Sequence, residues 1–117
     1  MLLRDRQRLT KIKEYCEDIQ ETISRFGATF EAFQKDRAYQ QIAAFCVLQI
    51  GELAGTLSEE YRTKTKAHMP WQQIKGLRNI VVHDYGSVDA QVVWNVLTEK
   101  IPELLQFCRG QLSDSES

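Results

Sequence analysis

The chain has 117 residues, 43% hydrophobic and 26% charged, with a net charge of −1; one domain can bury its own core, and the overall charge does not mark a nucleic-acid binder. Three cysteines (Cys16, Cys46 and Cys108) are odd in number and lack a C-x-x-C pair, which suggests neither a disulfide framework nor a zinc site and favours buried thiols in a reducing cytoplasm. The N-terminal run has no apolar stretch of signal-peptide length, and no later segment has the length to span a bilayer, so a cytoplasmic protein without a membrane partner is expected.

Leu9, Ile12, Cys16, Ile19, Ile23 and Phe26 recur at three- and four-residue steps, predicting one long amphipathic helix that ends near Gly27. A short helix with Phe30 and Phe33 on one side follows. Asp36 is a suitable N-cap for a second long helix with the stripe Tyr39, Ile42, Cys46, Ile50, Leu53 and Leu57. Ala43, Ala44, Gly51, Ala54 and Gly55 are small enough to let a neighbouring helix approach. Ser58 before Glu59 and Glu60 reads as the cap of one further turn, and 63–69 as a polar, basic loop. Pro70 at a first helical position opens a helix facing inward through Trp71, Ile74, Leu77 and Val81, and Gly86 stops it. Ser87 or Asp89 caps a last long helix carrying Val92, Val93, Val96, Leu97, Ile101, Leu104, Leu105 and Cys108, which Pro102 should kink or restart. Residues 1–111 are thus expected to form one all-α, up-and-down helical bundle of four longer helices plus short helical turns, with 112–117 a polar, disordered tail.

Chemistry concentrates in the run from Arg78 to Tyr85. Arg78 offers a permanent cation in a fork suited to phosphate oxygens, and His83 a group that exchanges protons near neutrality. Between Tyr61 and His83 there is no acidic residue, while Arg62, Lys64, Lys66, Lys75 and Arg78 are basic and His68 lies among them. The first thirteen residues add Arg4, Arg6, Arg8, Lys11 and Lys13 against Asp5 alone. A polyanion would be drawn to these segments even though the chain is nearly neutral; a solvated face is the bland alternative.

Three segments carry a resemblance: Leu48 to Ala54, containing Ile50-Gly51-Glu52; Pro70 to Asn79; and Ile80 to Tyr85, with Val93-Trp94 and Ile101 to Leu104 also in place. On these the chain is similar to the HEPN superfamily, and within it to the HepT-like toxin ribonucleases. The resemblance implies a HEPN-like bundle, a metal-independent endoribonuclease with no cofactor, active as a homodimer. It also implies a nucleotidyltransferase antitoxin as partner. It puts Arg78 and His83 forward as the catalytic pair and Tyr85 as the acceptor of AMP from that partner. HEPN proteins also include non-catalytic members. A helical module that binds nucleotide or RNA and docks a nucleotidyltransferase therefore stands as the alternative.

The residues permit that chemistry with one geometric difficulty. On one ideal helix, five positions set Arg78 and His83 about 140° apart with a rise of about 7.5 Å, so they do not share a face. Unwinding before Gly86, or two copies closing one site across a two-fold axis, would remedy this; the dimer is the expectation preferred here. Asn79 can orient His83 or bond backbone; Asp84 can bias the imidazole tautomer or face solvent; Glu52 can pair with a motif cation or form a structural salt bridge. Lys75, Lys66, Lys64, Arg62 and His68 are candidate RNA contacts, and Trp71 and Trp94 read as core or interface aromatics.

Overall fold

In a computed structural model, which describes residues 1–82 and 90–116, the chain first reverses at Gly27. Helix α1 (Leu3–Phe26) ends there because Gly27 adopts φ 121°, a backbone state that side chains disfavour, and its N–H donates to the Ile23 carbonyl. Helix α2 (Phe30–Gln34) is capped by Thr29, whose Oγ1 accepts from Ala32 N at 3.1 Å. Asp36 caps α3 (Arg37–Gly55) through Oδ1 and Tyr39 N at 3.1 Å, and Ser58 caps α4 (Glu59–Thr65) through Oγ and Tyr61 N at 3.1 Å. Helices α5 (Trp71–Val82), α6 (Ala90–Asn95) and α7 (Ile101–Glu116) complete the chain, α6 and α7 being joined by a π-helical turn at Val96–Lys100. No strand occurs among the described residues, and the all-α bundle expected from the sequence is the architecture found.

Helix α3 is the central element, packed against α1 on one side and α5 on the other, while α7 packs against α1. The core gathers Leu9, Ile12, Cys16 and Ile19 of α1, Cys46, Val47 and Ile50 of α3, Ile74 and Leu77 of α5, and Ile101, Leu104 and Cys108 of α7. Phe33 of α2 is 1% exposed, which stabilises this short element by about 1.5–3 kcal/mol. It packs on Tyr39 at 5.0 Å and Trp94 at 5.5 Å between ring centroids. Trp71 is buried too, its Nε1 donating to Thr65 Oγ1 at 2.8 Å, and Trp94 packs half-buried against the core, in keeping with the core or interface role read for the two tryptophans.

Four expectations shift. Ile42 is not inward but 39% exposed; the buried face of α3 runs through Ala43, Val47 and Ala54 instead, because small side chains let α3 sit close to its neighbours. Val92 is likewise on the outside. The polar segment after Ser58 stays helical to Thr65, tied by Thr65 Oγ1 to the Tyr61 carbonyl at 2.8 Å, so the loop is shorter than 63–69. Helix α7 continues past position 111 to Glu116 and buries Leu112, whose carbonyl accepts from Arg6. The break at Pro102 is a π turn in which Ile101 N donates to the Val96 carbonyl, widening the helix just before the residue that has no N–H to give. The capping roles read for Ser87 and Asp89 lie outside the described residues.

All three cysteines are buried. Loss of hydration pushes the Cys46 thiol up to about 11 and that of Cys108 up to about 12, and raises Cys16 further, so they are inert core groups near neutrality. Among the described residues no single helix is long and apolar enough to cross a membrane.

Candidate active site

The site is built where α5 crosses α3. A Cβ added to Gly51 would lie 2.9 Å from the Arg78 backbone nitrogen and 3.1 Å from Arg78 Cβ, closer than packing allows. The two backbones therefore touch at Arg78, which fixes where its side chain leaves α5. One turn along α3, Gly55 leaves room for the aliphatic stem of Lys75, whose carbons would lie 3.5–3.6 Å from an added Cβ. Two glycines one turn apart thus seat two basic residues three apart on the antiparallel partner. The small residues read from the sequence as permitting close approach do this at Gly51 and Gly55.

Glu52 follows Gly51 and so emerges beside Arg78, where its Oε1 pairs with Arg78 Nε. The two side chains are 50% and 47% exposed. An ion pair this wet contributes little to stability, about 0–1 kcal/mol, and can be exchanged for another anion without a large desolvation cost. The arrangement holds a guanidinium at the surface, oriented from one nitrogen, with its remaining donors available in planar geometry for phosphate oxygens.

Of the other residues read from the sequence, Asn79 is exposed on α5, one position beyond Arg78. His83, Asp84 and Tyr85 lie outside the described residues. Lys64 and His68 line a different feature, a cavity of about 580 Å³ shared by Asp5, Ser58, Tyr61 and Gln111 at the end of the bundle where α1, α4 and α7 meet. Lys66 is exposed on the turn after α4, and Arg62 is half-buried, its Nε enclosed and without a hydrogen-bond partner among the described residues. The basic residues before Pro70 are thus divided from Lys75 and Arg78, which alone of that set sit at the α3–α5 crossing. Arg8, which the sequence left within a general basic run, proves to lie against α3: its Nε donates to Thr56 Oγ1 at 3.0 Å, one turn from Glu52. Among the described residues no group of three or more His, Cys, Asp or Glu side chains is placed to hold a metal ion.

Comparison with known proteins adds the family. Residues 12–110 match the family model described as "Ribonuclease HepT-like". "Putative RNase TTE0752" of Caldanaerobacter subterraneus subsp. tengcongensis is 32% identical over 96 residues, covering 82% of this chain and 83% of that protein. "Probable ribonuclease HepT" of Thermococcus cleftensis is 29% identical over 97 residues, 79% and 87% of the two chains. "Putative RNase MJ1216" of Methanocaldococcus jannaschii is 29% identical over 108 residues, 92% and 87%. No solved structure matches. The match spans the α3–α5 crossing and the whole Arg78 to Tyr85 run, and the chain belongs to the HepT-like ribonuclease family.

Proposed function

We propose that the protein is a metal-independent endoribonuclease in which Arg78 holds the scissile phosphate and His83 moves the protons. The single observation that carries this reading is Arg78 itself, set on the surface by backbone contact with Gly51 and, among the described residues, neutralised by a solvated carboxylate. The arriving RNA phosphate displaces Glu52 from the guanidinium. His83 then draws the proton from the ribose 2′-hydroxyl, whose oxygen attacks phosphorus. The bond to the 5′-oxygen breaks as that oxygen takes a proton. The products are a 2′,3′-cyclic phosphate and a 5′-hydroxyl end. A positioned imidazole contributes about 10²–10⁴ in rate and charge stabilisation by one donor about 10²–10³.

One imidazole cannot serve efficiently as base and acid at once, and a second copy supplies the other. Support for pairing comes from α3, where Ile42 and Phe45 are 39% and 55% exposed. Phe45 and Glu52 are seven residues apart, two turns along one stripe, so this apolar patch adjoins the Arg78 pair. A homodimer buried through that patch would bring two guanidiniums and two imidazoles to one cleft. The toxin role belongs to the same proposal. A nucleotidyltransferase antitoxin attaches AMP to Tyr85, and the added phosphodiester competes with RNA for Arg78 and His83.

Purified protein in the presence of chelator should cut RNA and leave cyclic phosphate ends. His83→Ala and Arg78→Ala should each stop it while helicity and melting are retained. Loss of wild-type cutting with chelator, or normal cutting by either variant, overturns the mechanism. RNA binding without any cutting would instead identify a non-catalytic binding module. Tyr85→Phe should resist silencing by the partner; modification of that variant would place the acceptor elsewhere.

A further inference from the structure

Three basic residues from two helices surround the C-terminal turn of α3, and only one of them is used above. Lys75 and Arg78 border the turn from α5, against Gly55 and Gly51. On the opposite side Arg8 of α1 donates to Thr56, and further along the same stripe Tyr15 meets Phe45 edge-on at 6.1 Å. Positions 8, 11 and 15 share one face of α1, so Lys11, lying between two residues that touch α3, borders the same strip. Its side chain is 64% exposed and, among the described residues, makes a loose pair with Glu14 at 3.5 Å. A recess of about 480 Å³ opens where Arg8 and Lys11 meet Leu53 of α3. The strip is therefore edged by Arg78 and Lys75 on one side and by Arg8 and Lys11 on the other. Helix axes pack 8–10 Å apart, so two spacings put these rims roughly 16–20 Å from each other, a distance that a few nucleotides of single strand can cross.

We propose that this strip is the path of a single-stranded RNA, with Arg78 at the cut phosphate and Arg8 and Lys11 holding phosphates beyond it. The proposal rests on the ribonuclease reading for its substrate. It assigns the binding to the α1 side of α3, away from the cavity lined by Lys64 and His68. Phosphates are recognised there through charge and not through base edges, so affinity should depend on strand length and salt more than on sequence. Glu52, in the floor of the strip, disfavours a bare polyanion in its middle and leaves Arg78 as the point of exchange.

The test uses a 2′-O-methyl oligouridylate long enough to run from Arg78 past Lys11, which binds but has no nucleophile to be cut, alongside a 2′-O-methyl dinucleotide. The Arg8→Gln/Lys11→Gln double variant should bind the long strand about five-fold more weakly per lost contact at 0.1 M salt, with the salt slope reduced by about 0.7 per contact. The preference for the long strand over the dinucleotide should collapse. Lys35→Gln/Lys100→Gln, which removes the same charge elsewhere, should leave that preference standing. Since Arg8 also braces Thr56, Lys11→Gln alone, which leaves that hydrogen bond in place, must show its share of the effect at unchanged melting temperature. The path is refuted if the double variant keeps the wild-type length preference and salt slope. It is equally refuted if the charge-matched control falls as far, or if polyglutamate binds as tightly as the RNA analogue. Normal binding by the double variant in an enzyme that cuts RNA defeats the path alone. Strand binding that needs Arg8 and Lys11 in a protein that cuts nothing defeats the ribonuclease reading alone.

Discussion

Two carboxylates of this bundle meet opposite fates. Asp5 is 1% exposed and fully employed by the fold: Oδ1 accepts from Ser58 N at 2.8 Å and Oδ2 from Ser58 Oγ at 2.7 Å, fastening the start of α4 to α1. Tyr61 on the same helix donates to Gln111 Oε1 at 2.7 Å and ties α4 to α7. Glu52 has, among the described residues, one cation for a partner, and half its side chain is in water. Buried polar groups are costly to leave unmatched, so the first cluster is closed on itself and has nothing to spare for a ligand. The second is cheap to open. Polarity at the α4 end therefore specifies structure, while polarity at the α3–α5 crossing is left available for chemistry.

The contrast can be broken from either side. Its largest expected effect is Arg78→Ala: turnover on RNA should fall about 10²–10³-fold, while urea unfolding changes by less than about 1 kcal/mol, the worth of an exposed ion pair. A large stability loss would make the Glu52 pair structural like Asp5. Asp5→Ala should do the reverse, costing about 1–3 kcal/mol in urea unfolding by orphaning the Ser58 donors and leaving cleavage per folded molecule intact. Gly51→Ala tests the crossing itself. The new methyl must push Arg78 back, so a destabilisation of about 1–3 kcal/mol should come with reduced cleavage, whereas Gly110→Ala, mid-helix with open space around it, should stabilise by about 0.5–1 kcal/mol and leave cleavage unchanged. The smallest effect is alkaline. With the Cys46 thiol raised from 9.0 to about 11, the unfolded chain loses its proton first. Stability is then whole below pH about 9 and declines as pH rises through about 11; Cys46→Ala should flatten part of that decline in the melting temperature.

Much of this was legible in the residues. Three- and four-residue steps of apolar side chains give α1, α5 and the α7 seam, and the caps at Asp36 and Ser58 lie where short polar side chains precede helices. The small residues on α3 signalled a close neighbour, and Glu52 was among the groups that could meet a motif cation. Periodicity failed where it weighs size above position. Ile42 looked like core, yet Ala43 fills the buried slot because α3 is gripped on two sides and has no room for a larger side chain there. Nor could linear order separate Lys75 from Lys64. They stand eleven residues apart in one basic stretch, yet after the turn at 66–70 Lys75 lies against Gly55 of α3, while Lys64 lines the separate cavity with Asp5 and Ser58. Arg8 was legible as one of a basic run, but its place beside α3 was not: it and Thr56 are 48 positions apart, and only packing reveals the neighbour.

The π turn at Val96–Lys100 sets a constraint of its own. An α-helix advances about 100° per residue, so the widened turn takes up the angular offset between the Trp94 side of the rod, stacked on Phe33, and the Ile101 to Cys108 seam. Shorten that turn by one residue and the two seams can no longer both face inward: either Trp94 swings off the aromatic cluster or Leu97 is wrung out into water. The segment is a phase adjuster between the halves of the last rod, and its length is fixed by the need to keep both in register.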